Sequence, residues 1–331
     1  MRKFLLVAVS LVILAGAGSA TADTVLRFAH VNSPNSPAGK AAEYFQERVQ
    51  LHTEGRVRVQ LFPASQLGNN RQMFSSLRGG SIDLSLTPYP MLADIVPELS
   101  VYVAGYMFES FEEQQRILQH PELGASWADQ LREKGGLRVL CSFYYGSRNL
   151  TTTNKPVRTR KDMQGLKIRA VPQPASMSVI RGLGATPTPV PLAEVFQGLR
   201  QGVIDGQENP LPVIYNQKFF EVQDYLMLTN HQLVPLPYVM NEAKWKSLGR
   251  DQQAVQRAAD EACARGTELT VQQERELIET FKARGMNVIT AQDGLDIEGF
   301  RASVREEVQK TFDGEIWPAG TWAKIQSALG R

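Results

Sequence analysis

The alternation of strand and helix patterns between residues 24 and 86 constrains the fold more than any other feature of this sequence. "TVLRFAH" (24–30) alternates apolar and polar residues with the period of a strand. Ala38, Ala41, Ala42, Phe45, Val49 and His52 then recur at helical spacing. "RVRVQLF" (56–62) places Val57, Val59 and Leu61 on one face of a second strand. Asn69 or Asn70 can cap a helix carrying Met73, Phe74 and Leu77, which Gly79 and Gly80 stop. "SIDLSL" (81–86) reads as a third strand. A βαβαβ order requires a mostly parallel sheet with helices on both faces, because parallel neighbours need long crossovers.

The pattern restarts further on. Helical stretches near 111–119 and 122–134 lead into a strand at "LRVLCSF" (137–143). "GLKIRAVP" (165–172) is a strand with Leu166, Ile168 and Ala170 on one face and Lys167 and Arg169 on the other. A helix with Met177, Ile180 and Leu183 follows, then one over about 192–200 and a strand at "VIDGQE". From Arg250 to Arg284 there is no proline and a single glycine, Gly266. Read as one helix this stretch spans roughly 50 Å, long enough to lie across two domains; read with a break at Gly266 it is two ordinary helices. The tail from about 297 to 329 fits one or two surface helices.

Arg2 and Lys3, the apolar run Phe4 to Ala15, and Ala20-Thr21-Ala22 have the layout of a secretory leader cleaved near Ala22. An exported protein in the periplasm is expected, with residues 1–22 removed. The remaining roughly 300 residues are too many for one comfortable core and suit two domains. Without Arg2 and Lys3 the basic and acidic residues balance, which argues against a nucleic-acid partner. The two cysteines, Cys141 and Cys263, are too few for a disulfide scaffold. Cys141 alternates with Val139 and Phe143 as a core residue would, and whether it pairs with Cys263 stays open at this level.

Catalytic signatures are missing from the sequence. It holds no HExxH, CxxC, Walker loop or G-x-S-x-G, and Gly182-x-Gly184 lacks the third glycine of a dinucleotide fingerprint. The four histidines, His30, His52, His120 and His231, do not pair at ligand spacing, so neither a metal nor a cofactor is expected. This leans towards binding.

Five stretches point to a family. "ASQLGNNRQMF" (64–74), "GGSIDLSL" (79–86), "YYGSRNLTTTNKPV" (144–157), "DMQGLKIRAVP" (162–172) and "GATPTPVPLAEVFQGLRQGVIDGQENPL" (184–211) occur in order along nearly the whole chain. In these the chain resembles the extracytoplasmic solute receptors of TRAP transporters, the DctP-type family. The resemblance implies a two-lobed α/β periplasmic binding protein fold. Each lobe would be a mixed, mostly parallel sheet flanked by helices, with a long helix spanning both. It places lobe I at 23–146 plus about 235–275, and lobe II at 147–234 plus about 276–331 with the C-terminal helices. It implies a monomer that closes over a small organic carboxylate and hands it to TRAP membrane permease subunits, without catalysis.

Carried over residue by residue, the resemblance makes Arg169 the clamp for the ligand carboxylate. A guanidinium suits that post, with its parallel N–H donors and its charge retained when dry. Arg148 matches a second arginine near the ligand, with a hinge salt bridge as its alternative. Asn209 matches an asparagine at the ligand's polar end, or is a turn former before Pro210. Asn70 heads a helix whose N–H groups favour anions. Tyr89 follows the third strand, Tyr145 precedes Arg148 and His30 ends the first strand. Ordinary packing is the competing assignment for these three, and His231 could be hinge structure. Where the sialic-acid branch has an asparagine, an acid and an aromatic, this chain has Pro172, Pro88 and Leu192. A smaller or less polar carboxylate is expected: a dicarboxylate, a keto or hydroxy acid, or an aromatic acid. An exported enzyme acting on a small carboxylate, or a sensory binding protein, is the alternative.

Overall fold

A computed structural model describes residues 24–331; the leader expected over 1–22, with its cleavage near Ala22, lies outside the described residues. The first unit runs β1 (Thr24–Ala29), α1 (Pro37–His52), β2 (Val57–Phe62), α2 (Asn70–Arg78) and β3 (Leu84–Leu86). Ser36 caps α1 by accepting from Gly39 N at 3.1 Å, and Pro37 supplies the fixed φ of a first helical turn. β2 and β3 both pair parallel with β1, as the alternation requires. β3 is shorter than its sequence pattern, and just before it the Asp83 carboxylate accepts from Arg27 N at 2.7 Å and from its Nε at 3.1 Å.

The short α3 (Tyr89–Leu92), then α4 (Phe111–Gln119) and α5 (Ser126–Gly135), lead to β4 (Leu137–Thr152). The second unit contains β5 (Lys167–Ala170), α6 (Pro174–Leu183), β6 (Thr186–Pro189), α7 (Leu192–Arg200), β7 (Gly206–Pro210) and α8 (Leu211–Asn216). β7 starts later than "VIDGQE" suggests, since Val203 N turns back to Gly198 O at 2.9 Å and closes α7. β6 contains Pro187 and Pro189, which hid it from a propensity reading. It is tolerated as the last strand of the sheet.

The largest departure from the sequence pattern is a pair of crossing strands. β4 continues to Thr152, and β8 (Tyr225–Asn241) runs antiparallel to it from Leu137↔Asn241 to Thr152↔Tyr225. Three register shifts, at Val139/Cys141, Tyr144/Gly146 and Arg148/Leu150, bend this ladder. Pro235 and Pro237 made "LVPLPYVM" read as loop; they sit at the bent part, opposite Tyr144 and Ser142. The ladder merges the two units into one sheet, ordered β2-β1-β3-β8-β4-β7-β5-β6.

After α9 (Glu242–Ser247), α10 (Gln252–Ala283) is a single helix of 32 residues. At 1.5 Å per residue it is about 48 Å long. Its first half packs Val255, Ala258 and Ala262 with Phe28 and Phe45 of the first unit. Its last turns pack Leu277 and Phe281 with Val195, Ile204 and Phe219 of the second. Gly266 does not break it. That position has no room for a side chain, because a Cβ would lie 2.9 Å from the Phe143 ring. β9 (Asn287–Ile289) adds to β8, and the tail forms α11 (Ile297–Phe312) and α12 (Thr321–Ala328). Cys141 and Cys263 form a disulfide, settling the pairing that the sequence left open. It ties α10 to crossing strand β4. Replacing both by serine (Cys141→Ser with Cys263→Ser) is expected to lower the unfolding free energy by about 2–4 kcal/mol, read by urea denaturation. An unchanged midpoint would mean the bond does not constrain the chain.

Candidate ligand-binding site

The carboxyl ends of the parallel strands face one another across the crossing ladder, where open α/β sheets bind ligands. β1 is followed there by Val31 and Asn32, β3 by Pro88, and β5 by Val171 and Pro172. Together with the first turn of α2 and the start of α7 they enclose a crevice of two chambers. The inner holds about 70 Å³ and the outer about 170 Å³. Val31, Asn70, Arg169, Val171 and Leu192 line both, so the two are continuous.

Arg169 stands at their junction and is only 3 % exposed. Its Nε donates to Val190 O at 2.8 Å. Among the described residues its two terminal nitrogens have no protein acceptor, and no carboxylate lies within ion-pairing distance. Burial, and then the charge of Arg148, bring its pKa down to about 10, so it remains a cation at neutral pH. A buried charge without a counter-ion is costly. An anion entering the crevice would supply one.

Arg148, on β4, is treated differently. It is buried, and its Nε and Nη2 grip the Glu208 carboxylate, with a further Nη2 bond to Glu208 O at 2.5 Å. Glu208 on β7 lies across the β4–β7 ladder, where Leu150 is its register partner. His231 on β8 adds a bond from Nε2 to Glu208 Oε2 at 3.0 Å. An ionised carboxylate only accepts, so Nε2 is the donor there, and Nδ1 on the far side of the ring meets the Thr229 hydroxyl at 2.8 Å. Burial raises the Glu208 pKa, but the Arg148 charge and the His231 and Arg148 hydrogen bonds outweigh it and hold the carboxyl at about 2. The cluster is therefore a neutralised strut, and the salt-bridge alternative for Arg148 describes most of its contacts.

Two further polar chains shape the inner chamber. Tyr145 donates its hydroxyl to Asn32 Oδ1 at 2.6 Å, and burial keeps the phenol protonated. Asn209 donates to Gln207 Oε1 at 2.5 Å, and Gln207 donates to Thr151 Oγ1 at 2.9 Å. Of the residues singled out by sequence, Arg169, Arg148, Asn209, Tyr145 and Asn70 line the inner chamber together. Tyr89 and His30 do not. The Tyr89 hydroxyl turns away to Ser142 Oγ at 2.9 Å, and its ring packs on Tyr102. The His30 ring is buried edge-on against Phe28. Ordinary packing is what both do. Asn32, Ser176, Gln232 and Arg71 also line the crevice. Sequence reasoning missed them because nothing in their spacing marks a cleft. Glu208 was hidden beside Asn209 in "GQENP", although alternation along a strand puts it on the opposite face. Pro88, Pro172 and Leu192 all lie on the crevice wall.

Residues 28–315 match the family described as bacterial extracellular solute-binding protein, family 7. The chain belongs to this family. It is 34% identical over 302 residues to the 2,3-diketo-L-gulonate-binding periplasmic protein of Escherichia coli, covering 90% of each. It is 29% identical over 317 residues to the sialic acid-binding periplasmic protein of Vibrio cholerae, covering 96% of this chain and 97% of that one. A TRAP periplasmic solute-binding protein of Actinobacillus succinogenes, solved with bound L-galactonate, superposes with a TM-score of 0.87 at 32% identity. That match covers 93% of this chain and 99% of the other. The two-lobed α/β architecture is that of this family.

The neutralised strut predicts a pH signature. Glu208→Gln leaves Arg148 buried without its carboxylate and should cost about 3–5 kcal/mol at neutral pH. The folded carboxyl titrates at about 2 against an ordinary 4.5, so its contribution is full above pH 4.5 and lost as pH falls towards 2. Denaturation curves of native protein and variant should converge over that window. A gap that is constant with pH would remove the ion pair from the account.

Proposed function

We propose that this chain is a periplasmic receptor that binds a small organic acid in the crevice and delivers it to a TRAP-type membrane transporter. The observation that carries this is Arg169, a guanidinium 3 % exposed with no counter-ion among the described residues. Its terminal N–H groups form a fork that fits a carboxylate, with each charge-assisted bond contributing about 1.5–3 kcal/mol. The relatives named above bind sugar acids or sialic acid, which share a carboxylate and differ elsewhere. Asn209, Tyr145, Asn70 and one edge of Arg148 then contact the rest of the guest. Pro88, Pro172 and Leu192 make the wall poorer in polar partners than a sialic acid needs, which favours a smaller or less hydroxylated acid.

Binding closes two lobes, 23–146 with about 235–275 and 147–234 with about 276–331, by rotation about the bent β4–β8 ladder. The acid selects the closed form because both lobes reach it only there. The guest is released unchanged, the receptor works as a monomer, and export removes the residues up to about Ala22. Arg169→Ala should keep the melting temperature of the unliganded protein within a few degrees and abolish binding to every acid that stabilises the parent. A parent ligand at a hundred times its Kd adds about 2.7 kcal/mol of stability, which a thermal-shift screen detects. Arg169→Lys should bind poorly, since an ammonium lacks the planar fork. An alanine variant that binds as tightly as the parent would refute the clamp.

A further inference from the structure

We propose that Glu274, on the spanning helix and outside the crevice, is a positioning residue for the guest: as an anion it holds the bulge in β4 that turns Tyr145 and Arg148 into the inner chamber. This rests on the receptor reading above and goes further, since it gives a role in binding to a residue that lines neither chamber.

The edge of β4 comes first. From Leu137 to Ser147 the strand has β8 on one side, and β7 joins the other side only at Arg148, opposite Pro210. Backbone groups on that uncovered edge need partners. Side chains of α10 supply them. Gln256 Nε2 donates to Leu140 O at 2.8 Å, Thr267 Oγ1 accepts from Tyr144 N at 3.1 Å, and Glu274 Oε1 accepts from Ser147 N at 2.9 Å. Between the last two lies a register shift. Tyr144 pairs with Pro235 and Gly146 with Val234, so β4 carries one extra residue there, Tyr145. The Tyr145 hydroxyl reaches Asn32 at the crevice, and Arg148 lines the inner chamber on the other side of Ser147. The amide that Glu274 holds is therefore set between the two crevice residues.

The fit at this point is close. Gly146 has a φ of +124°. A Cβ there would lie 2.6 Å from Pro210 Cβ and 2.9 Å from Glu274 Oε1. The carboxylate is packed against the bulge itself, and the chain passes it only as glycine.

The charge is the third consideration. Glu274 is half-buried, and its partners are two neutral donors, Ser147 N and the Tyr144 hydroxyl. Burial pushes its carboxyl above the ordinary carboxylate range, against the pull of those two bonds. Other ionisable groups nearby are engaged elsewhere or carry no positive charge. Burial, and then the Glu274 charge, keep the Tyr144 phenol protonated, and Glu112 of α4 lies beyond it. Tyr215 of α8 stacks on Phe220. Arg148 and His231 are turned to Glu208, and Arg275 and Glu276 on the helix itself are exposed. A carboxyl raised above 4.5 in the folded state makes the fold less stable as the pH rises through that window. A glutamine would span the same distance without that cost. What the glutamate alone adds is a charged acceptor, whose bond to an amide is about twice as strong as a neutral one. The fold is less stable for carrying this charge, and the bulge is held more firmly by it.

The test compares the full protein with Glu274→Gln, by urea denaturation and by calorimetric titration with galactonate, glucuronate, succinate and any acid that stabilises the parent in the thermal-shift screen. At about pH 8 the variant should unfold at the same or a higher urea concentration than the parent. It should nevertheless bind the parent's best acid about five- to tenfold more weakly, the gap between a charged and a neutral acceptor. That gap should close as the pH falls to about 5, because the parent's own carboxyl then takes up a proton. Amide exchange gives a readout without ligand: Ser147 N–H should be protected in the parent at about pH 8 and lose protection in the variant. Equal affinities at every pH would overturn the positioning role and leave the receptor reading intact. A gap that does not change with pH would also overturn it, by assigning the effect to side-chain shape. So would weaker binding accompanied by a lower urea midpoint, the mark of a merely structural prop. If no acid binds the parent, the receptor reading falls and this proposal falls with it.

Discussion

The antiparallel ladder between β4 and β8 is the constraint on which the rest of this molecule depends. Without it the chain would be two separate α/β units, each with a parallel sheet edge open to solvent. With it the units share one sheet, and the carboxyl ends of their parallel strands are brought to face each other. The ladder also carries side chains into the crevice at its bent middle. Tyr145 and Arg148 come from β4 and Gln232 from β8, next to the register shifts that bend the strands. Strand bulges re-aim side chains, and here they aim them inward.

Around this ladder the molecule handles two buried arginines in opposite ways. Arg148 is paired with Glu208 and supported by His231, so its charge is cancelled inside the protein. It stiffens the junction of β4, β7 and β8. Arg169 has a backbone carbonyl for one N–H and nothing charged for the others. Folding carries the cost of that unpaired cation, which a guest of opposite sign would relieve. On the proposed reading, anion binding follows from the same imbalance. A receptor whose crevice were fully neutralised would have less differential affinity with which to drive closure.

The spanning helix and the disulfide act on the same junction. α10 touches both units, and Cys263 anchors its first half to Cys141 on β4. Further along, Thr267 Oγ1 accepts from Tyr144 N at 3.1 Å, and Glu274 accepts from Ser147 N at 2.9 Å. These contacts flank the register shift at Tyr144/Gly146. The bent strand pair is thus braced along its length by the spanning helix.

Much was legible in the residue order, because it is written in local periodicity. The βαβαβ run, the helix of Met177 and Leu183, and the strand ending at Arg169 follow from side-chain alternation alone. The motif stretches carried Arg169, Arg148, Asn209, Tyr145 and Asn70 to one place. What local pattern could not show was anything that depends on a distant partner. β8 is interrupted by Pro235 and Pro237, and it is a strand because β4 and β3 pair with it on both sides. Gly266 does not interrupt α10, and Phe143 fills the space a side chain there would need. Tyr89 and His30 sit at strand ends as cleft residues do, yet Ser142, Tyr102 and Phe28 claim them for the core. The pairing of Glu208 with Arg148, sixty positions away, decided which arginine is left without a counter-ion at the crevice. Periodicity settles which face a side chain occupies; only tertiary packing settles what meets it there, because charge, hydrogen bonding and volume are satisfied by neighbours in space rather than in sequence.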